Sequence, residues 1–106
     1  LIEAVSLEDK PGVENSLGSS SLLVNATSAG MEGMNQIEIP LEFLPKGSMV
    51  YDLVYKPHET DLVKRAKELG HKASGGLSML LYQGVESFEI WTGINAPVEV
   101  MRKAIE

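Results

Sequence analysis

The chain is 106 residues long and sets nine Lys and Arg against fifteen Asp and Glu, a formal net charge of −6. That length holds one ordinary domain, and with 43% hydrophobic and 23% charged residues the chain fills a small core and is not a disordered tail. An acidic chain lacks the surplus of Lys and Arg that neutralises phosphates, which argues against nucleic acid as a partner, and no apolar run approaches the roughly 20 residues of a membrane-spanning helix.

There is no Cys. Disulfide frameworks, thiolate metal sites, iron–sulfur clusters and Cys nucleophiles are excluded together, and the composition fits a reducing compartment such as the cytoplasm. The chain opens on Leu1, with no basic segment leading into an apolar one and a small-residue cleavage site. A piece of a longer polypeptide is the expectation.

In chain order, residues 1–21 hold Lys10-Pro11-Gly12 and Leu17-Gly18-Ser19-Ser20-Ser21, turn formers that predict a mostly irregular stretch. Leu22-Leu23-Val24-Asn25 is a short apolar run closed by the small residues Ala26 to Gly30, as expected of a strand buried on both faces of a parallel sheet. Residues 39–45, bounded by Pro40 and Pro45, predict a connector with at most a turn or two of helix. Met49 to Tyr55 is rich in strand formers and stops at Lys56-Pro57, so it is the second predicted strand.

Thr60 is a good N-cap, Leu62, Val63, Ala66 and Leu69 share a helical face, and Gly70 suits the helix end. His71 to Ser74 predicts a third short strand before the Gly75-Gly76 turn. Leu77 to Trp91 reads as a helix whose Leu77, Leu81, Gly84 and Phe88 line up as a core stripe, while Gly76, Met79 and Gln83 cluster on another face. After a break at Thr92 to Ala96, Pro97 opens a last helix with Val98, Met101 and Ile105 on one side.

Several motifs fail on inspection. Gly70 to Gly75 has the glycine spacing of a phosphate loop, but Gly76 and Leu77 stand where Lys and Ser or Thr must reach phosphate and magnesium. Asn25-Ala26-Thr27 matches a glycosylation acceptor, yet it ends an apolar strand. His58 and His71 have no acid at ligand spacing, so no metal site is predicted and both read as structural surface residues. Asp52 interrupts an apolar strand. A buried acid costs several kcal/mol without partners, so a hydrogen-bonded network is expected around it near the strand's carboxyl end. The small turn Asn25 to Gly30 lies where ligands sit in parallel sheets, beyond the carboxyl ends of the strands, and its small side chains would let a flat ring approach the backbone.

Four blocks then combine. Val24-Asn25-Ala26-Thr27-Ser28-Ala29-Gly30-Met31, Val50 to Thr60, Gly75-Gly76-Leu77-Ser78-Met79-Leu80-Leu81-Tyr82-Gln83 and Phe88 to Gly93 resemble, in order and spacing, the carboxyl-terminal half of shikimate dehydrogenases. The resemblance runs from about Leu22 to the end. It implies an α/β fold, a partial Rossmann-like three-layer parallel sheet with C-terminal helices. Residues 1–75 would be the second half of a dinucleotide-binding domain, and residues 76–106 the helices that lead back to the substrate domain.

The implied activity is reduction of 3-dehydroshikimate to shikimate with NADPH. Carried over block by block, Ala26, Thr27 and Ser28 would lie along the nicotinamide side of the cofactor, and Leu53 near the ring. Gly76 would offer backbone to the nicotinamide amide, and Met79 would bound the pocket. Tyr55 would approach the substrate, and Gln83 would hydrogen-bond a substrate hydroxyl. The family's catalytic Lys and Asp, its glycine-rich phosphate loop and its Asn-Arg-Thr segment have no counterpart in these 106 residues, and Gly75 stands where family members often have Asp. No catalytic residue is therefore assigned. The chain alone is expected to be inactive and to self-associate. The alternatives are a quinate/shikimate dehydrogenase using NAD, or a non-catalytic binding module that kept the scaffold.

Overall fold

A computed structural model describes all the residues, Leu1–Glu106. Three strands, β1 (Leu22–Asn25), β2 (Met49–Asp52) and β3 (Lys72–Ser74), form one parallel sheet in the order β1-β2-β3. Parallel neighbours require crossovers. The first carries a 3-10 turn at Leu41–Phe43, where a connector is predicted, and the second carries helix α2 (Asp61–Glu68), capped by the Thr60 hydroxyl, which accepts from the Val63 N–H at 3.3 Å.

Register decides which side chains meet the core. Leu23, Val50 and Ala73 are aligned across the sheet, as are Leu22, Met49 and Lys72 one residue earlier. Because side chains alternate along a strand, the first row faces the core and the second faces away. The core comprises Leu17, Ile39, Leu41, Leu44, Val50, Leu62 and Ala66, with Val13, Leu23, Ile37 and Ala73 packed against it. On the other face Leu22, Val24 and Met49 are exposed, and an open groove of about 680 Å³ runs past Tyr51. The expectation that β1 is buried on both faces is therefore wrong: Leu22 and Val24 are exposed, because within this chain nothing covers that side of the strand.

The amino-terminal stretch predicted to be irregular contains a helix, α1 (Lys10–Gly18). The Asp9 carboxylate accepts from the Gly12 N–H at 3.2 Å, and Pro11 lies in the first turn, where no N–H is needed. Burial of Leu17 and packing of Val13 then outweigh the roughly 1 kcal/mol that Gly12 costs inside a helix.

β2 ends at Asp52, three residues before the predicted Tyr55. The cause is local: the Asp52 Oδ1 accepts from the Val54 N–H at 3.0 Å and turns the chain away from the ladder. His71 also departs from expectation. It is buried, and its Nδ1 lies 3.1 Å from the Ser48 carbonyl; since a carbonyl only accepts, Nδ1 carries the proton. His58 is exposed.

Helix α3 (Leu77–Thr92) ends at Gly93 in the left-handed conformation, and α4 (Val98–Ile105) folds back on it, with the Met101 methyl close to Gly84. Along the predicted core stripe only Leu81 is buried, joined by Val85, while Leu77, Gly84 and Phe88 are half-covered. The radius of gyration is 16.2 Å, against about 13 Å for a compact chain of this length, because the α3–α4 pair extends beyond the sheet. No helix is long and apolar enough to cross a membrane.

Candidate functional site

The carboxyl ends of β1 and β2 are paired through Asn25 and Asp52, which stand opposite each other in the register. Both are buried, and Asp52 is 0% exposed. Its carboxylate accepts from the Asn25 Nδ2 at 3.0 Å, the Val54 N–H at 3.0 Å and the Thr60 hydroxyl at 2.7 Å. The network expected around Asp52 is present, and it joins the end of β1, the end of β2 and the cap of α2.

Asn25 in turn shapes the loop after β1. Its second amide hydrogen goes to the Ala29 carbonyl at 2.9 Å. Its Oδ1 accepts from the Thr27 N–H at 3.1 Å and the Thr27 hydroxyl at 2.6 Å, and that hydroxyl accepts from the Ala29 N–H at 3.1 Å. The Thr27 hydroxyl proton is thus held inside the loop. What the loop offers outward is the small side chain of Ala26, the backbone, the Thr27 methyl and the exposed Ser28 side chain.

Beyond these strand ends lies a cavity of about 310 Å³ lined by Ala26, Thr27, Met31, Glu32, Leu53, Val54, Tyr55 and Lys56. Four of the predicted site residues, Ala26, Thr27, Leu53 and Tyr55, therefore share one cavity. Ser28 lines a neighbouring groove of about 770 Å³ beside Asn35 and Gln36. Met79 and Gln83 are exposed on α3, and the Gln83 Nε2 donates to the Leu80 carbonyl of its own helix at 2.9 Å, so neither reaches the cavity in this structure.

Gly76 connects the two groups. A Cβ there would collide with the Leu53 carbonyl, so α3 begins against the backbone of the cavity wall only because this residue has no side chain. Its N–H donates to the Val54 carbonyl at 3.0 Å, and its carbonyl accepts from Leu80 at 3.0 Å and keeps a second lone pair.

Met31, Glu32 and Lys56 are site-lining residues that the sequence reading does not single out. Lys56 follows directly on Tyr55 and carries the only cationic side chain in the lining. The signal for Asn25 was available: a polar residue ending one short apolar strand, matched by Asp52 ending the next. The charged groups whose titration is displaced lie elsewhere. The Glu59 carboxyl is held below its usual range by a hydrogen bond from Lys67 at 2.8 Å, and the Arg102 guanidinium is raised by the Tyr82 hydroxyl and Glu99.

Residues 76–106 match the model of the shikimate 5'-dehydrogenase C-terminal domain. The chain is 43% identical over 102 residues to a shikimate dehydrogenase (NADP(+)) of Pyrococcus abyssi, covering 96% of this chain and 37% of that protein. Among solved structures it resembles a shikimate 5-dehydrogenase from Listeria monocytogenes in complex with shikimate and NAD, with TM-score 0.85 and 33% identity, covering 98% of this chain and 37% of that one. It also resembles a Thermus thermophilus shikimate 5-dehydrogenase in complex with NADP(H) and shikimate, with TM-score 0.76 and 36% identity over 88% of this chain and 35% of that one. The chain thus spans little more than a third of the length of the relatives it matches. By sequence and fold it matches the carboxyl-terminal part of shikimate dehydrogenases.

Proposed function

We propose that this chain supplies the nicotinamide wall and part of the substrate wall of an NADP-dependent shikimate dehydrogenase, which reduces 3-dehydroshikimate to shikimate. The observation that carries the reading is the cavity at the carboxyl ends of two parallel strands, where Ala26, Thr27, Leu53 and Tyr55 converge. Its dimensions and largely apolar lining, with the small residues Ala26 and Thr27 on one side, fit a flat heteroaromatic ring. When bound, NADPH supplies the hydride.

The roles of the chain's own residues follow from their free groups. Ala26 and Thr27 present methyls and backbone along the ring, Ser28 its hydroxymethyl group and backbone, and Leu53 packs against the ring's face. Because the Gly76 N–H is taken by Val54, this residue addresses the nicotinamide carboxamide through its carbonyl. Met79 bounds the ring from α3. Tyr55 and Gln83 hydrogen-bond the substrate, Gln83 after exchanging its bond to Leu80 for one to a hydroxyl. Burying these groups around the ring excludes water from the transferring hydride. The proton at the carbinol is handled by groups outside these 106 residues, so the chain alone turns nothing over.

In this reading residues 1–75 are the second half of the dinucleotide-binding domain and residues 76–106 lead back to the substrate domain. The compartment is the cytoplasm. Two copies of the chain associate when it stands alone. A quinate/shikimate dehydrogenase using NAD is the second reading, supported by likeness to a Corynebacterium glutamicum quinate dehydrogenase in complex with NAD, with TM-score 0.79 and 34% identity, covering 88% of this chain and 33% of that one.

Titrating the isotope-labelled chain with nicotinamide mononucleotide and then with shikimate tests the reading by NMR. Nicotinamide mononucleotide should shift the amides of Ala26, Thr27, Leu53 and Gly76, and shikimate those of Tyr55 and Gln83. Shifts confined to other surfaces, or none at millimolar ligand, would overturn it.

A further inference from the structure

We propose that Asp52 is a positioning residue for the cofactor cavity: by tethering the Asn25 amide to the end of β2, it sets the distance of the loop at residues 25–31 from the Leu53–Tyr55 wall. The inference rests on the reading of this cavity as the nicotinamide site. A fully buried carboxylate is costly unless its lone pairs are used, and here three donors use them without any Lys or Arg among them. Each donor belongs to a different part of the site: the loop root, the cavity wall and the cap of α2.

The chemistry of the pairing is directional. A carboxylate only accepts, so it draws the NH₂ side of Asn25 toward itself and leaves Oδ1 facing Thr27. The bonds that Asn25 makes to Thr27 and Ala29 use that orientation, and they add to the Met31 N–H bond to the Ser28 carbonyl and the Gly30 N–H bond to the Asn35 carbonyl, which shape the rest of the loop. With an amide at position 52 the charge that strengthens this tether is lost, because Asn puts a neutral acceptor and a donor in its place. The Ala29 carbonyl and the Thr27 N–H still call for the same Asn25 orientation, so the strands keep their apolar core and the amide its sense while the root of the loop loosens from the end of β2. The same carboxylate oxygen that holds Asn25 holds the Val54 N–H, so loop and wall are referred to one atom.

Amide hydrogen exchange on the ligand-free 106-residue chain tests this, comparing wild type with Asp52→Asn. The Thr27, Ala29 and Val54 amides should exchange about ten- to a hundredfold faster, the range expected for loss of one hydrogen bond to a charged group, while Val85 and Phe88 in α3 keep their rates. The affinity for nicotinamide mononucleotide should fall with the loop. Unchanged exchange at Thr27 and Ala29, or equal acceleration at every amide, would overturn the proposal. If Asp52→Asn does not fold, Thr60→Val removes one donor to Asp52, and Thr60→Ser restores it. The valine variant should accelerate the loop amides and the serine variant should not, and identical behaviour of the two would overturn the proposal. Failure of the wild-type chain to bind nicotinamide mononucleotide counts against the cavity's assignment alone, since the exchange rates still decide what Asp52 does.

Discussion

Gly76 and Gly84, at the start and in the middle of α3, look interchangeable in the sequence and are opposites in the fold. At Gly76 a methyl group would meet the backbone of Leu53, which cannot move without disturbing β2 and the cavity wall. At Gly84 it would meet only the terminal methyl of Met101 at 3.3 Å, the far end of a flexible side chain. Gly76→Ala should therefore lose about 1–3 kcal/mol of stability through overpacking. Gly84→Ala should be neutral or gain up to about 1 kcal/mol, because alanine loses less backbone entropy in a helix. Urea denaturation of the two variants checks this, and equal destabilisation would show that both sites need glycine for the same reason.

At the level of elements, the strands are short because their last residues are polar and turn the chain. Asp52 ends β2 by binding the Val54 N–H, and Thr60 starts α2 while donating to Asp52, so one carboxylate terminates a strand and anchors a helix start. α2 is also tied at its surface by Lys67 to Glu59. The folded-state pKa of Glu59 is lowered, first by the hydrogen bond from Lys67 and then by its charge. The pair's contribution is thus present above the ordinary carboxylate range and fades as the pH falls through the lowered value. Glu59→Gln should melt slightly below wild type at pH 7, with a gap that narrows in high salt and closes in acid. A gap that persists at pH 2 would mean the side chain acts through packing and not through charge.

For the whole molecule, the accessible surface is 7549 Å², against about 5,800 Å² for a compact folded chain of this mass. The surplus, about 1,700 Å², is of the size one partner contributes to a large obligate interface. Its apolar part includes Leu1, Ile2 and Leu7 at the amino terminus, the open sheet face at Leu22, Val24 and Met49, and the α3–α4 region at Ile90, Trp91, Ile94 and Val100. Parallel sheets are normally covered on both faces, and apolar patches of this extent seldom stay open on a monomer. The isolated chain should therefore elute as a dimer or larger species in size exclusion with light scattering, and Val24→Lys on the open face should lower that mass. A compact, cooperatively melting monomer over a wide concentration range would show that this surface needs no cover.

Much of this was legible in the sequence, because it depends on short-range chemistry. Apolar runs closed by Gly, Pro and polar residues locate β1, β2 and β3; Thr60 and Gly70 bracket α2; and an acid inside an apolar strand announces a network before any partner is known. The family blocks carry Ala26, Thr27, Leu53 and Tyr55, which the fold gathers into one cavity. What the sequence could not settle depends on contacts between distant segments. Helix α1 exists because Val13 and Leu17 find a core to bury in, which no local count of turn formers reveals. β1 looked buried on both faces because an apolar run does not record whether a second layer of helices lies over it. The collision that makes Gly76 obligatory involves Leu53, 23 positions earlier in the chain. That Asp52 bonds Asn25 across the sheet follows from the parallel register, which only the packed tertiary structure fixes.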